Sequence, residues 1–425
     1  MDAQRNWSDT YTFTAARIHR PNSVDELRRL AAAAPRIRAL GARHSFNGVA
    51  DSEELVELGA LAGAPDIDRE RGIAWVPAAM TYGQLSRQLH AEGWALHNMG
   101  SLPHITVAGA TATGTHGSGD RNGSLASAVA AIELVTADGN LLILRRGEPD
   151  FPGVAVGLGA FGIATRIALD IQPTFDIRQD AFADLPWSRV LADFDAIMSA
   201  AYSVSLFTHW GEETVSRLWL KTLATESGAQ ASLAERLAAS ATERVFAHTP
   251  ELDLAMFTPF GSAGPWSERL CHFLPDVDPG TAAQIQSEYM VPRDRAVAAI
   301  GLMREMGTRI DKLLILTEIR TVMRDDLWLS SSYGHDVVAL HFTWKHDMAQ
   351  VAPITREIEA KLLPLGARPH WGKLMHADAA SIARLYPRLD DFRALACRYD
   401  PAGKFRNAFL ERHVFGGSDT QRMAA

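Results

Sequence analysis

Glu318 and Arg320 stand two apart in Leu313-Leu314-Ile315-Leu316-Thr317-Glu318-Ile319-Arg320-Thr321-Val322, and residues two apart in a strand share a face. The apolar run before Glu318 marks this strand as central, where a charged pair requires partners rather than solvent. Such a pair can bind hydroxyl groups, because the carboxylate accepts while the guanidinium donates through a fixed fork. His341, Thr343 and Lys345 share a face in the same way on a second strand. Farther on, Arg368-Pro369-His370-Trp371-Gly372-Lys373-Leu374 sets a histidine, an aromatic ring and a lysine around a glycine. A lysine beside an electron-poor cofactor can assist removal of a hydroxyl proton when neighbours such as Arg320 poise its ammonium. Taken alone, the first segment also reads as a solvated ion pair and the last as a loop with a snorkelling lysine.

Two stretches of small residues supply a different chemistry. Gly100 to Gly119 is built largely from Gly, Ala, Ser and Thr, which let main-chain N–H groups approach a phosphate and add hydroxyl donors. Ile105, Val107 and two histidines, His104 and His116, distinguish it from a solvated linker. The turn Gly41-Ala42-Arg43-His44-Ser45-Phe46-Asn47-Gly48 follows a buried-looking strand. Its residues leave an exposed loop histidine and an anion-binding turn equally open. Gly157-Leu158-Gly159-Ala160-Phe161-Gly162 matches G-x-G-x-x-G, but Ile163 to Ile171 alternates as a strand. A dinucleotide fingerprint must open a helix instead, so this match is discounted.

The elements that position these groups read as α+β. Ser23 and Glu26 form an S-x-x-E cap for a helix ending before Pro35, and Thr81 and Gln84 a T-x-x-Q cap for one running to Glu92. Strands are expected at Arg36 to Leu40, Ile73 to Ala78, Val129 to Thr136 and Leu141 to Arg145, the last two joined by an Asp-Gly hairpin. After Pro173 come strands at Ser203 to Trp210, Val215 to Thr222, Gln284 to Val291, Leu313 to Val322 and Val337 to Lys345, interleaved with helical patterns at Ala231 to Phe246 and Arg293 to Met306. This pattern predicts a second domain on a large antiparallel sheet.

The chain of 425 residues has a net charge of −8 and carries no basic stripe, which excludes a nucleic-acid surface. Its two cysteines, Cys271 and Cys397, are far apart, so neither a disulfide framework nor a thiolate metal site is expected and a reducing compartment is the default. The polar start and the lack of a membrane-length apolar run predict a cytoplasmic protein without membrane attachment.

Together these segments resemble the vanillyl-alcohol-oxidase-type flavoproteins, most of all the alditol oxidases, with sugar-lactone oxidases as near relatives. The likeness runs through Gly41-Ala42-Arg43-His44-Ser45, Gly100 to Gly117, Gly157 to Gly162, Gln286-Ser287-Glu288-Tyr289, Glu318 with Arg320, His370-Trp371-Gly372-Lys373 and Asp400 to Asn407. It implies a two-domain flavoprotein: a PCMH-type FAD-binding domain over 1–175, a cap over 176–375 built on the antiparallel sheet, and a segment, 376–425, returning to the FAD domain. By the same resemblance, His44 is the histidine bonded covalently to the flavin. Ala39, Leu40, Gly41, Ala42, Arg43, Ser45, Ser101, Thr106, Gly109, Thr113, Gly114, Thr115 and His116 contact FAD, Ile163 does so through its backbone, and His370 is a further flavin contact. Glu318, Arg320, Thr343 and Lys373 bind substrate hydroxyls together with Ser101, Arg320 and Lys373 being catalytic. Gly100 leaves O2 a path to the flavin. No metal is implied, and the chain is expected to act as a monomer. The implied activity is oxidation of a polyol such as xylitol or sorbitol, with O2 reduced to H2O2. The alternatives are an aldonolactone oxidase or dehydrogenase and a flavin-binding protein without turnover. Neighbours of the motifs differ in size from the family pattern, which leaves polyol chain length open.

Overall fold

Ser23 opens the first helix, Val24–Ala33, by accepting the Glu26 N–H. The expected reciprocal cap is only half made, because the Glu26 carboxylate takes the N–H of Asn22 rather than that of Ser23. Thr81 and Gln84 complete theirs at the head of Tyr82–Ala91. The structure, a computed structural model, describes residues 5–226, 240–242, 257–277 and 283–416. The helix expected over 231–246 lies outside these residues except at Ser240–Ala241, which form a short strand paired with Asp176–Pro186.

Among the described residues the N-terminal part holds three sheets, the smallest being the antiparallel pair Trp94–Ala95 with Gln172–Pro173. Arg17–His19, Glu54–Val56 and Ile37–Ala39 form a parallel three-stranded sheet with Glu54–Val56 in the middle. Asp66–Asp68, Ile73–Pro77, Ile163–Asp170, Val129–Val135 and Leu141–Arg145 follow in that order across an antiparallel five-stranded sheet. Asp400 to Asn407 closes on this part of the molecule. The Asp400 carboxylate accepts the N–H groups of Lys404 and Phe405, Phe405 packs with Leu27, Ile37 and Val135, and the Asn407 amide donates to the carbonyls of Gly48, Val49 and Asp51.

Among the described residues, the second part is built on one nine-stranded sheet. Its centre runs Thr214–Leu223, Ser203–Thr208, Leu314–Val322, Val337–Lys345, Gln284–Pro292, each pair antiparallel. Alternation divides its two faces. Leu206, Ile319, Leu340, Phe342, Trp344, Ile285 and Tyr289 pack outward under helices that include Trp187–Ala192, Ala296–Glu305 and Met348–Leu362. The residues between them face the N-terminal part, so the polar side of the sheet is enclosed rather than solvated. Fold class is therefore α+β with a large antiparallel sheet.

Candidate active site

The register of the central strands creates the site. Phe207 lies opposite Glu318, Glu318 opposite His341, and His341 opposite Glu288, which sets two carboxylates on either side of an imidazole in one row. The next row places Thr343 opposite Gln286. Glu318 and Arg320 are each only 5% exposed and Glu288 1%. Buried charges of this kind require pairing, and here it is reciprocal. Arg320 Nη2 donates to Glu288 Oε1 (2.7 Å) and Arg320 Nη1 to Ser101 Oγ (3.1 Å). Lys373 Nζ donates to Glu288 Oε2 (2.7 Å) and to His341 Nδ1 (2.5 Å), and His341 Nε2 reaches Thr343 Oγ1 at 3.1 Å. His116 Nε2 lies 3.2 Å from Glu288 Oε1.

Electrostatics follow from this packing. Burial alone would raise the Glu288 pKa, but Lys373, His116 and Arg320 outweigh it and hold the carboxyl well below the usual range. Glu318 is depressed in the same way by Arg320 and His272. Burial lowers Lys373, against the opposing pull of Glu288. Burial and the neighbouring ammonium bring His341 down to about 4, so its ring is neutral. Lys345, by contrast, leaves the site and donates to the Lys312 carbonyl.

Opposite this charged wall, across a cavity of about 800 Å³, stands one of small residues. Ala39, Leu40, Gly41, Ala42, Arg43, His44, Ser45, Gly100, Ser101, Thr106, Gly109, Thr113, Thr115 and His116 line the cavity, as do Glu318, Arg320, Thr343, His370 and Lys373. A Cβ on Gly41 would stand 2.7 Å from Thr106 Oγ1, and one on Gly109, in the helix that Thr106 opens, 2.8 Å from the same atom, so the Gly41 turn and the helix both leave room for this hydroxyl by being glycine. The Gly119 N–H donates to the Thr321 carbonyl (3.0 Å), tying the end of the small-residue stretch to the strand that carries Arg320. Asn47 Nδ2 donates to the carbonyls of Trp371 and Lys373, and the Phe46 N–H to Gly372, which fixes the His44 turn to the loop of the lysine.

Gly114 and Ile163 do not line this cavity. Gly114 turns the chain out of the helix Val107–Ala112 at φ +66° and faces a small void behind His116. The Ile163 side chain is fully buried beside Val135 and Phe405, while its neighbours Gly162 and Ala164 reach the wall. Gly157 to Gly162 leads into the strand Ile163–Asp170, consistent with discounting a dinucleotide fingerprint.

His44 sits against the Trp7 ring, with centroids 5.1 Å apart at 28°. Both its ring nitrogens are buried without a hydrogen-bond partner, and burial lowers its pKa to about 4. Buried imidazole nitrogens left open at a cavity edge, facing a cradle of mostly small residues, suit a large flat cofactor with a phosphate tail. These residues fit FAD.

Residues 15–145 match the FAD binding domain family and residues 279–413 the D-arabinono-1,4-lactone oxidase family. An alditol oxidase from Streptomyces sp. (strain IKD472) is 42% identical over 96% of this chain and 98% of its own length. The chain belongs to the alditol oxidase family. An L-gulono-1,4-lactone dehydrogenase from Mycobacterium tuberculosis is 26% identical over 96% of this chain and 98% of its own. The crystal structure of cholesterol oxidase from Brevibacterium sterolicum superposes with a TM-score of 0.78 at 14% identity, covering 97% of this chain and 96% of that one, a likeness of fold alone. Within the alditol oxidase family fold, Glu288, His272 and His341 are site groups to which the residue pattern assigned no role. Gln284, Gln286 and Glu288, which share one face of the expected strand opposite Ile285 and Tyr289, were the available signal for the first of these.

Proposed function

We propose that this chain is an FAD-dependent alditol oxidase, oxidising the terminal hydroxyl of polyols such as xylitol and sorbitol to the aldose while O2 is reduced to H2O2. The observation that carries this reading is the ionised set Glu318, Arg320, Glu288 and Lys373 facing the small-residue cradle across one cavity. Bound in that cradle, FAD supplies the two-electron acceptor. Arg320 and Lys373 lower the cost of an alkoxide at the reacting hydroxyl, and Lys373, whose own proton burial makes easier to release, takes the hydroxyl proton once it is in its neutral form. Glu288 keeps both cations in place. Glu318, Thr343 and Ser101 orient the neighbouring hydroxyls, which separates a polyol from a simple alcohol.

In the same reading, residues 1–175 and 376–425 hold the cofactor and 176–375 cover it. The open nitrogens of His44 support a covalent tether there, and Gly100 a path for O2. Two free cysteines support a cytoplasmic setting, and among the described residues no helix is long and apolar enough to cross a membrane. The match of residues 279–413 to a lactone oxidase family favours aldonolactones as the second reading.

A substrate panel with peroxide detection tests both. Release with xylitol or sorbitol, and none with gulono- or galactono-1,4-lactone, is expected; the reverse pattern sinks the first reading. Lys373→Met is expected to lower kcat by ~10²–10⁴. After denaturation in acid the yellow colour is expected to stay with the polypeptide, and in His44→Ala to leave it.

A further inference from the structure

Behind Glu318 lies a buried cation that this reaction does not use. Lys221, on the strand Thr214–Leu223, is 1% exposed. Its Nζ donates to the carbonyls of Leu270 (2.6 Å) and Cys271 (2.8 Å) and lies 3.2 Å from His272 Nδ1. An ammonium has three N–H donors and no acceptor, so three partners use it fully and Nδ1 must be the accepting nitrogen. His272 is neutral, since burial pulls its pKa to about 4 despite the adjacent carboxylate. Its one ring proton is then on Nε2, which stands 2.7 Å from Glu318 Oε1. The same segment is anchored to the cofactor side, with the N–H groups of His272 and Phe273 both reaching the Ser101 carbonyl.

We propose that Lys221 is a positioning residue for substrate binding: its ammonium fixes the tautomer of His272, which holds Glu318 Oε1 and leaves Oε2 for a substrate hydroxyl. The proposal rests on the polyol reading above. Burial brings the lysine down to about 7, with Cys271 and Glu318 raising it and Arg320 and Arg269 lowering it. These groups and His272 are the titratable and charged neighbours. Burial pushes the Cys271 thiol up to about 11, so it stays neutral around that value. When Lys221 loses its proton, Nζ keeps two N–H donors for three acceptors and gains a lone pair. The His272 proton can then move to Nδ1, and Nε2 turns a lone pair toward the Glu318 carboxylate. Glu318 loses its hydrogen bond and binding weakens.

The test uses the holoenzyme with xylitol between about pH 6 and about pH 8.5. KM is expected to rise about tenfold with pH, the worth of one hydrogen bond to a charged group, with kcat changed less than about twofold. Lys221→Arg, charged throughout, is expected to hold KM low across the range. His272→Gln, whose amide donates whatever the charge of Lys221, is expected to flatten the profile. A wild-type KM independent of pH, or an unchanged slope in His272→Gln, overturns the proposal. Failure to oxidise any polyol would instead sink the reaction assigned above. In that case ¹⁵N-histidine spectra decide, the His272 signals being those lost in His272→Gln. Exchange from the Nε2–H to the Nδ1–H pattern as pH passes about 7 supports the proposal, and a constant pattern overturns it.

Discussion

The two walls of the cavity bind by opposite means. On the N-terminal side, what matters is absence: Gly41 and Gly109 leave room for the Thr106 side chain because neither has a Cβ. On the sheet side, what matters is presence, since Glu288 pairs with both Lys373 and Arg320, the latter also facing Glu318, and lies beside His116. One wall is shaped by side chains that are missing and the other by charged side chains that are present. It follows that the first fails when an atom is added and the second when a charge is removed.

Glu288→Gln probes the second wall and carries the largest expected effect. It leaves two buried cations with Glu318 as their remaining carboxylate, so stability to urea should fall by ~3–5 kcal/mol. Activity should fall with it, because both catalytic cations lose their anchor. A denaturation midpoint equal to wild type would erase the distinction between the walls. Gly109→Val probes the first. Its Cβ meets Thr106 Oγ1 at 2.8 Å, an overpacking cost of roughly 1–3 kcal/mol that should appear in the apoprotein's unfolding, and the flavin-to-protein absorbance ratio should drop as well. Full flavin content would show that the cradle has slack.

Acid loads the charged row without mutation, together with His44 on the opposite wall, which burial also holds at about 4. His272 and His341 are held down at about 4 by burial, against about 6.5 in an unfolded chain. Folding thus favours their neutral forms, and that contribution is whole above about pH 6.5 and is lost as pH falls toward 4. Glu288 and Glu318, whose carboxyls are depressed by cationic neighbours, add a second loss below about pH 4.5. Stability to urea should therefore start declining well above the carboxylate range. A flat profile from about pH 7.5 to about pH 5 would mean that the charged row contributes nothing to folding.

Much of this was legible in the sequence where one strand carries the whole signal. Alternation alone put Glu318 with Arg320, and His341 with Thr343, on shared faces, and the apolar run beside Glu318 announced a buried strand. Alternation cannot say which strand lies next to which. Glu288 becomes the hub only because register sets it opposite His341, and Lys221 reads in isolation as an ordinary lysine. Fine direction is also lost: Ile163 turns away from the cavity while Gly162 and Ala164, one step to either side, reach it. The half-made cap at Ser23 failed for a similar local reason, a carboxylate preferring the N–H one residue earlier.

The smallest expected effect asks whether absence on the first wall serves anything besides backbone packing. Gly100 differs from Gly41 and Gly109, since its Cβ would meet Ile105 Cδ1 at 3.6 Å, Thr115 Cγ2 at 3.7 Å and the His116 carbonyl oxygen at 3.8 Å. Those are ordinary contacts, so Gly100→Ala should fold and retain flavin as wild type does. If the space at Gly100 is a route for oxygen, the added methyl group should slow reoxidation by O2 on the order of threefold, a gating effect that leaves the chemistry of polyol oxidation intact. Stopped-flow traces of the two half-reactions separate these steps, and an artificial acceptor too large for that route should give the wild-type rate. Slowing of both half-reactions would place the alanine against the substrate instead, and Gly100 would then belong with the groups that shape the second wall.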